Sequence, residues 1–337
     1  MSPSARPPAP STGFGDRLPS SGEAPINFGD RLAALVAQRE SQIVLGLDPD
    51  PMGLWPAAVE RVRDDADVLP VQRAGMAMLN HCRALIDAVG DACVAVKPQL
   101  ARFEVLGDVG WTLLTAVVRH AQAEGLLVIA DGKRGDIDVS AGAYARALLG
   151  ASDTPFGSVE GLGVDLVTVN PLMGLDALEP FVSTARAAAA LNGNAAGVLV
   201  LVRTSNPGAA DIEDLKLAGG ERVWERIAML VEELGSDGVG EAGISDVGAV
   251  VGATVPEHLT RARELMPHTV FLLPGIGAQG GRVEDLAPAF APGRAAGLVS
   301  ASRSIVDAYR GTGGDPAEAA RAEAERLREL AWALSGA

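Results

Sequence analysis

The stretch VIADGKRGDIDVSAGAYA occupies residues Val128–Ala145, and its character changes at Asp131. The residues before this position complete the apolar run LLVIAD, whose lack of alternation is typical of a parallel strand buried on both faces. Two further charged side chains, Lys133 and Asp136, follow closely, and an alanine-rich helical pattern comes next. A buried strand that ends in charged residues and leads into a helix is typical of one β/α unit.

The same alternation of apolar runs and longer helical segments occurs eight times along the chain. Most runs end on a polar residue, as expected where the carboxyl ends of strands meet at a functional face. The pattern predicts an α/β fold, a (β/α)8 TIM barrel in a single domain. An open, doubly wound sheet is the alternative, because periodicity does not reveal closure. The predicted strands are 43–48, 92–97, 126–131, 164–170, 197–203, 248–254, 269–274 and 297–302.

The two ends of the chain differ from the repeated pattern. Residues 1–26 are rich in Pro, Ser and Gly and have no periodic apolar face, so we expect a disordered N-terminal tail. Residues 27–337 are expected to form the barrel domain and to end in a helix whose N-cap is Asp315.

Charge and hydropathy argue against several classes of protein. The net charge of −15, without a basic stripe, argues against a nucleic-acid partner. No apolar run reaches the ~20 residues that span a membrane, and no secretory signal pattern is visible. Cys82 and Cys93 have neither metal-ligand nor disulfide spacing, so we expect a soluble, cytoplasmic protein with two buried thiols. The histidines are expected away from the strand carboxyl ends, and no metal site is predicted.

Lysine is rare in this chain: only three of the 28 basic residues are lysines. Arginine can replace lysine where only positive charge is needed, whereas the lysine ammonium is a compact charge that can also release a proton. Lys97 and Lys133 lie at or just after neighbouring predicted strands and are therefore candidates for chemistry. Lys216 lies among acidic residues and is expected on the surface.

The two candidate lysines alternate with two aspartates. Adjacent strands lie ~4.8 Å apart, so Lys97 can reach Asp131. With Lys133 and Asp136 this gives an array in which each charge stabilises the ionised form of its neighbour. A protonated ammonium in such an array can donate a proton or stabilise a developing carbanion. A structural ion-pair network at the barrel rim is the alternative.

A glycine-rich segment, PGIGAQGG at Pro274–Gly281, follows the seventh predicted strand. Glycines such as Gly280 let the backbone approach a ligand and turn N–H groups towards an anion. Arg303 follows the eighth strand, and barrels often bind phosphate with the loops after strands 7 and 8. We therefore expect a phosphate site at these two loops.

Two further polar residues follow predicted strands. Asp48, in GLDPDP, is suited to hydrogen-bonding hydroxyl groups, and a turn aspartate before proline is the alternative. Ser205, in RTSNPGA, is suited to a polar heterocycle edge, and a helix cap or turn is the alternative.

Five motifs occur in the chain in the order GLDP, VKPQ, DGKRGDI, RTSNPG and PGIGAQGG. Together they resemble the orotidine 5′-phosphate decarboxylase family, in particular its longer bacterial subfamily. The resemblance implies a barrel that removes CO2 from orotidine 5′-monophosphate to give UMP, the last step of de novo pyrimidine biosynthesis. It also implies that the reaction needs neither a metal nor an organic cofactor.

The resemblance implies roles for the charged residues. Lys97, Asp131, Lys133 and Asp136 match the family's charged tetrad, and Lys133 is the implied proton donor to C6 of the pyrimidine. Asp136 is implied to enter the site of a neighbouring subunit, which predicts a homodimer.

Substrate contacts are implied as well. Ser140 stands where the family usually has threonine, and its hydroxyl keeps the capacity for a ribose contact. The other matching positions are Asp48 for the ribose, Ser205 for the pyrimidine, and Gln279 and Arg303 for the phosphate, with Gly280 beside them in the glycine-rich loop.

Two other functions remain open at this point. A related sugar-phosphate decarboxylase or aldolase-like synthase would use the same Asp-x-Lys-x-x-Asp loop with Mg²⁺ to hold an enediolate, and EDTA would inhibit it. A barrel that binds nucleotide phosphate without activity would bind its ligand and release no CO2.

Overall fold

The computed structural model describes residues 27–63, 67–192, 195–277 and 280–336. The predicted tail, residues 1–26, lies outside the described residues. None of the helices in the described ranges is long and apolar enough to cross a membrane.

Eight parallel strands close into a barrel in the order β1-β10-β9-β8-β7-β6-β3-β2. The predicted (β/α)8 barrel is therefore confirmed, and the open sheet is wrong. β4 and β5 form a separate antiparallel hairpin, which was not among the predicted elements. The strands are β1 (Ile43–Leu47), β2 (Ala95–Pro98), β3 (Leu127–Arg134), β4 (Ala151–Thr154), β5 (Gly157–Glu160), β6 (Leu166–Val169), β7 (Gly197–Arg203), β8 (Val247–Val251), β9 (Phe271–Leu273) and β10 (Gly297–Ala301).

The helices pack around the barrel through apolar faces. Asp315 caps the last helix as predicted, because its carboxylate accepts hydrogen bonds from the N–H groups of Ala317 and Glu318. The helices are α1 (Phe28–Arg39), α2 (Pro56–Glu60), α3 (Pro70–Val89), α4 (Leu100–Glu104), α5 (Asp108–Ala123), α6 (Asp138–Leu149), α7 (Leu175–Asn192), α8 (Val223–Gly235), α9 (Pro256–Leu265), α10 (Arg303–Val306), α11 (Ala308–Thr312) and α12 (Pro316–Leu334).

The crossover between β9 and β10 departs from the ideal repeat. It contains a 3-10 helix, Val283–Phe290, instead of an α-helix. Pro288 lies inside this segment, has no N–H to donate and clashes with the preceding turn of an α-helix, which disfavours an α-helix here.

Helix α1 lies across the amino-terminal end of the barrel. Phe28 and Leu32 are fully buried in one cluster with the strand residues Val44, Ile129 and Leu199. These helix residues cover the apolar side chains that fill the barrel interior. With this end sealed, the opposite end is the one that can hold a ligand.

Candidate active site

A cavity of about 1090 Å³ opens at the carboxyl ends of the barrel strands. This volume is large enough for a nucleotide-sized ligand. Six of the predicted site residues line it: Asp48, Lys97, Asp131, Lys133, Ser205 and Arg303.

Asp131 is the hydrogen-bonding centre of the cavity floor. Its carboxylate accepts hydrogen bonds from Lys97 Nζ at 2.7 Å and from Lys133 Nζ at 2.5 Å. Thr168 Oγ1 donates to it at 3.0 Å and Gln99 Nε2 at 3.3 Å. Burial alone would raise the pKa of Asp131, but the two lysines outweigh burial and lower that pKa to about 2. The carboxylate is therefore ionised at any physiological pH.

Lys133 has an unusual backbone conformation, with φ of 46° in the left-handed region. The register of β3 against β6 shifts between Ala130 and Arg134, so Lys133 lies in an irregular part of the strand. Its N–H donates to Thr168 Oγ1 at 2.9 Å, and its side chain is 45% exposed on the cavity side. The strained backbone and the bond to Thr168 direct the ammonium towards the cavity and Asp131.

Two predicted residues lie outside the cavity of their own chain. Asp136 is half-buried, and its carboxylate accepts a hydrogen bond from the Ile137 N–H at 2.8 Å. Ser140, on α6, is exposed. Within the described residues, neither belongs to the cavity lining. The described chain thus brings Lys97, Asp131 and Lys133 together and leaves Asp136 apart from them.

Asp48 lies directly after β1 and is held by Ser302. The Ser302 hydroxyl lies 2.6 Å from Asp48 Oδ2 and 3.2 Å from the Gly46 carbonyl, so its single proton is shared between these acceptors. Ser302 precedes Arg303 at the start of α10. This hydrogen bond therefore joins Asp48, after β1, to the start of α10, the helix that bears Arg303, which was predicted to bind phosphate.

The glycine-rich segment follows β9 as predicted. Its residues Gly275 and Ile276 line the cavity, and Gly275 and Gly280 have φ of 105° and 88°, conformations that side-chain-bearing residues rarely adopt. Gly280 itself is not among the described lining residues. Gln279 lies outside the described residues. Arg303 is exposed at the cavity wall, and no carboxylate in the described ranges forms an ion pair with it.

Ser205 lines the cavity in the loop after β7. Its neighbour Arg203 donates to Asp214 Oδ1 at 3.1 Å and to Asp214 Oδ2 at 2.9 Å. The Thr204 N–H donates to Glu213 Oε2 at 2.8 Å. These bonds hold the two residues that precede Ser205 against the segment at Glu213 and Asp214, and so fix the start of the loop that bears Ser205.

The sequence reasoning missed four residues of this site. Gln99 could have been found, because it lies two residues after Lys97 in the VKPQ motif, whereas Thr168 and Ser302 lie in patterns that any strand end can show. The expectation that the histidines lie away from the site is wrong for His81, whose side chain lines the cavity from α3. Helix α3 passes behind the loop that follows β1, which places this side chain beside the strand ends.

The fold and these motifs agree with comparisons to known proteins. The orotidine 5′-phosphate decarboxylase / HUMPS family matches residues 41–322. An orotidine 5′-phosphate decarboxylase of Rhodopirellula baltica is 40% identical over 288 residues, which cover 85% of this chain and 90% of that protein. One of Deinococcus radiodurans is also 40% identical, over 82% of this chain and 88% of its own length.

A solved structure agrees with these sequence matches. The OMP decarboxylase of Leishmania donovani superimposes with a TM-score of 0.66 at 29% identity, covering 93% of this chain and all of that chain. The family match over residues 41–322 includes all eight barrel strands and the loops that follow them. The chain therefore belongs to the orotidine 5′-phosphate decarboxylase / HUMPS family.

Proposed function

We propose that this chain converts orotidine 5′-monophosphate to UMP and CO2, the last step of de novo pyrimidine biosynthesis. The observation that carries the proposal is the buried, ionised Asp131 held between Lys97 and Lys133 at the floor of a nucleotide-sized cavity. The relatives named above carry the same activity in their names.

The chemical step requires a cation that can also supply a proton. When the C6–carboxylate bond breaks, its electron pair stays on C6 in an orbital that lies in the ring plane and cannot delocalise into the ring π system. The Lys133 ammonium stabilises this charge and then transfers its proton to C6, while CO2 leaves. Lys133 regains a proton from solvent. Asp131 and Lys97 hold the ammonium in position before the reaction begins, which is electrostatic preorganisation.

Other cavity residues orient the substrate. Asp48 binds the ribose hydroxyls and Ser205 contacts the pyrimidine edge. Arg303 binds the phosphate together with Gln279 and the glycine-rich loop that contains Gly280. Binding energy from the phosphate, remote from C6, then contributes to the chemical step through loop closure.

The complete site is formed by two copies of the chain. Asp136 and Ser140 lie outside their own cavity, and the chain between them carries exposed apolar side chains: Ile137 is 55% exposed and Val139 74%, while Leu172, in the loop after β6, is 77% exposed. Apolar residues grouped at the surface mark protein interfaces. In the proposed symmetric homodimer this surface is buried, Asp136 completes the partner's charged tetrad, and Ser140 contacts the partner's ribose.

Mixing inactive variants tests the shared site. Lys133→Ala and Asp136→Asn, refolded or co-expressed together, form hybrid dimers in which one of the two sites is intact. Random pairing then restores about one quarter of the wild-type activity. Lys133→Ala mixed with Asp131→Asn is the matched control, because both residues belong to the same side of the site and no hybrid site is intact. Equal activity in the two mixtures would contradict a shared site.

The activity itself is tested by following the absorbance of orotidine 5′-monophosphate and the release of CO2, with and without EDTA. EDTA-insensitive turnover supports the proposal. Turnover of a sugar phosphate that EDTA abolishes, without turnover of the nucleotide, would assign the chain to the metal-dependent relatives. Nucleotide binding without CO2 release would identify an inactive binding barrel.

We also propose a cytoplasmic location. Cys82 and Cys93 are free and fully buried, and burial raises the pKa of each thiol to about 12. Structural thiols without a disulfide are typical of a reducing compartment. Cell fractionation tests this, and recovery of the protein with the secreted fraction would contradict it.

A further inference from the structure

Trp55 bridges two parts of the cavity wall. It follows the loop after β1, and its side chain is almost completely buried, with the residue only 4% exposed. The indole N–H donates to the carbonyl of Val306 at 3.1 Å. Val306 is the last residue of α10, and Arg303 is the first, so the indole contacts the far end of the helix that bears the phosphate-binding arginine.

His81 fixes the backbone of Trp55. The Trp55 N–H donates to His81 Nδ1 at 3.1 Å, and the two rings meet edge to face with centroids 5.4 Å apart. A backbone N–H can only donate, so Nδ1 must be the acceptor and the neutral ring carries its proton on Nε2. His81 is 2% exposed, and burial keeps this ring neutral.

These bonds attach α10 at both ends to the segment that follows β1. At its start, the Ser302 hydroxyl bonds to Asp48. At its end, the Val306 carbonyl accepts from Trp55. A helix of only four residues has little rigidity of its own, so its position depends on such attachments. Arg303 lies between the two attachments.

We propose that Trp55, held by His81, is a positioning residue that sets the location of Arg303 and thereby the affinity for the substrate phosphate. This inference rests on the proposed function. Neither residue is assigned any contact with the reacting atoms, so their influence is on phosphate binding and not on proton transfer at C6.

The test is Trp55→Phe, which keeps an aromatic ring in place and removes the indole N–H. The KM for orotidine 5′-monophosphate is expected to rise about fivefold, as is usual for the loss of one buried hydrogen bond, and the Kd for UMP by the same factor. The value of kcat is expected to stay within about twofold. The ratio of kcat/KM for the nucleotide to that for orotidine, which lacks the phosphate, should fall about fivefold, because only the phosphorylated substrate uses Arg303.

Trp224→Phe is the matched control. Trp224 is 2% exposed on α8, and its indole nitrogen has no hydrogen-bond partner in the described structure. The same truncation there removes a similar buried volume and no hydrogen bond. Equal KM changes in the two variants would overturn the proposal, as would a Trp55→Phe effect of the same size on orotidine.

His81 provides an independent second variant. His81→Leu removes the acceptor for the Trp55 N–H and is expected to raise KM as Trp55→Phe does. His81→Asn places an amide oxygen near the position of Nδ1 and should restore much of the loss. The absence of this rescue, with both variants folded, would overturn the role of His81.

These outcomes are separable from a failure of the proposed function. If the wild-type chain binds UMP but does not release CO2 from orotidine 5′-monophosphate, the proposed function fails. Calorimetry with UMP and with inorganic phosphate then still tests Trp55. Weaker binding in Trp55→Phe than in Trp224→Phe supports its positioning role, and equal binding contradicts it.

Discussion

At the scale of single residues, the main feature is that Lys133 is held in a strained backbone conformation. A φ of 46° costs a non-glycine residue about 1 kcal/mol, which other contacts must offset. The bond from its N–H to Thr168 and the ion pair with Asp131 provide such contacts. Because Thr168 also donates to Asp131, one hydroxyl orients both members of the pair.

Lys133→Ala removes the ammonium and leaves the rest of the cavity in place. We expect kcat to fall by about a thousandfold or more, because the proposed mechanism loses both its proton donor and the charge next to C6. UMP binding should remain measurable by calorimetry. Lys216→Ala is the control, since that lysine is exposed, and it should keep wild-type kcat. Near-normal turnover in Lys133→Ala would contradict the role of proton donor.

His81 should make stability depend on pH. Burial lowers its pKa from 6.5 to about 4, so the unfolded chain binds more protons than the folded chain between these values. The free energy of unfolding is therefore expected to fall as the pH drops through this interval, by about 3 kcal/mol, and to level off below it. Urea denaturation across this pH range measures the effect. In His81→Asn, the free energy of unfolding should depend less on pH over this interval. An unchanged pH dependence would show that other groups cause it.

At the scale of elements, the hairpin β4–β5 directly follows α6 and precedes β6 in the chain. Its base is fixed by backbone bonds from the Gly161 N–H to the Gly150 carbonyl at 2.9 Å and from the Leu162 N–H to the Ala147 carbonyl at 2.8 Å. The turn residue Phe156 is 99% exposed. The hairpin is therefore held by main-chain contacts at its base and not by a core of its own.

Gly161→Ala should disrupt this attachment. A Cβ atom at Gly161 would lie 2.3 Å from the Arg146 carbonyl oxygen, so the backbone must move, and we expect a loss of about 2 kcal/mol in the free energy of unfolding. Gly142→Ala, in α6, is the matched control. Its Cβ would meet only the flexible end of Arg146, and it should stabilise the helix by about 0.5–1 kcal/mol. Thermal unfolding of both variants measures these changes. A Gly161→Ala variant as stable as the wild type would contradict the prediction, because the backbone at the hairpin base would then have moved at little cost.

Most barrel elements could be predicted because a strand buried on both faces has a distinctive composition. The prediction of strand 43–48 agrees with β1 within one residue. Residues 92–94 were wrongly included in the second strand, because Ala92, Cys93 and Val94 are as apolar and buried as a strand although Ala92 ends a 3-10 turn and the other two precede β2. The hairpin was missed because its short strands are exposed and polar, so no hydrophobic pattern marks them.

The charged part of the site was also predictable. Asp131 and Lys133 interrupt the apolar run of a buried strand, where a charge is unfavourable unless it is paired or takes part in binding or chemistry. Thr168 was not predictable, because a threonine within a strand is ordinary and its hydroxyl becomes informative only when β6 lies beside β3. His81 lies on α3, and its approach to the cavity depends on how that helix packs. Side chains brought to the site by tertiary packing leave no local signal.

At the scale of the whole molecule, a buried arginine links the segments around the crossover between β9 and β10. Arg263 donates hydrogen bonds to four carbonyls at 2.7–3.1 Å, and its guanidinium lies 3.8 Å from the ring centroid of Phe271. Burial lowers the pKa of Arg263 to about 9. The carbonyls belong to the residue that caps the end of α9, the segment before β9, the 3-10 helix and the residue before β10. One side chain thus joins every segment around the crossover that lacks an α-helix.

Arg263→Lys should therefore destabilise the entire barrel. A lysine ammonium has three donors on a single nitrogen and cannot reach four carbonyls spaced for a planar guanidinium. Leaving a buried carbonyl unpaired costs about 1–3 kcal/mol, and we expect the Tm to fall by several degrees with kcat unchanged in the folded protein. Arg119→Lys, on the exposed surface of α5, is the control and should keep the wild-type Tm. Equal Tm values in the two variants would contradict the role of Arg263.

The sealed end of the barrel also determines where the chain can be attached to something else. At one end of the described residues, the Asn27 side chain donates to the Gly238 carbonyl, shortly before β8 begins. At the other, the Ser335 hydroxyl accepts from Gln42, immediately before β1. Both positions lie on the face opposite the cavity mouth. A tether or label attached near residue 27 or residue 335 should therefore leave the route for substrate and CO2 unobstructed.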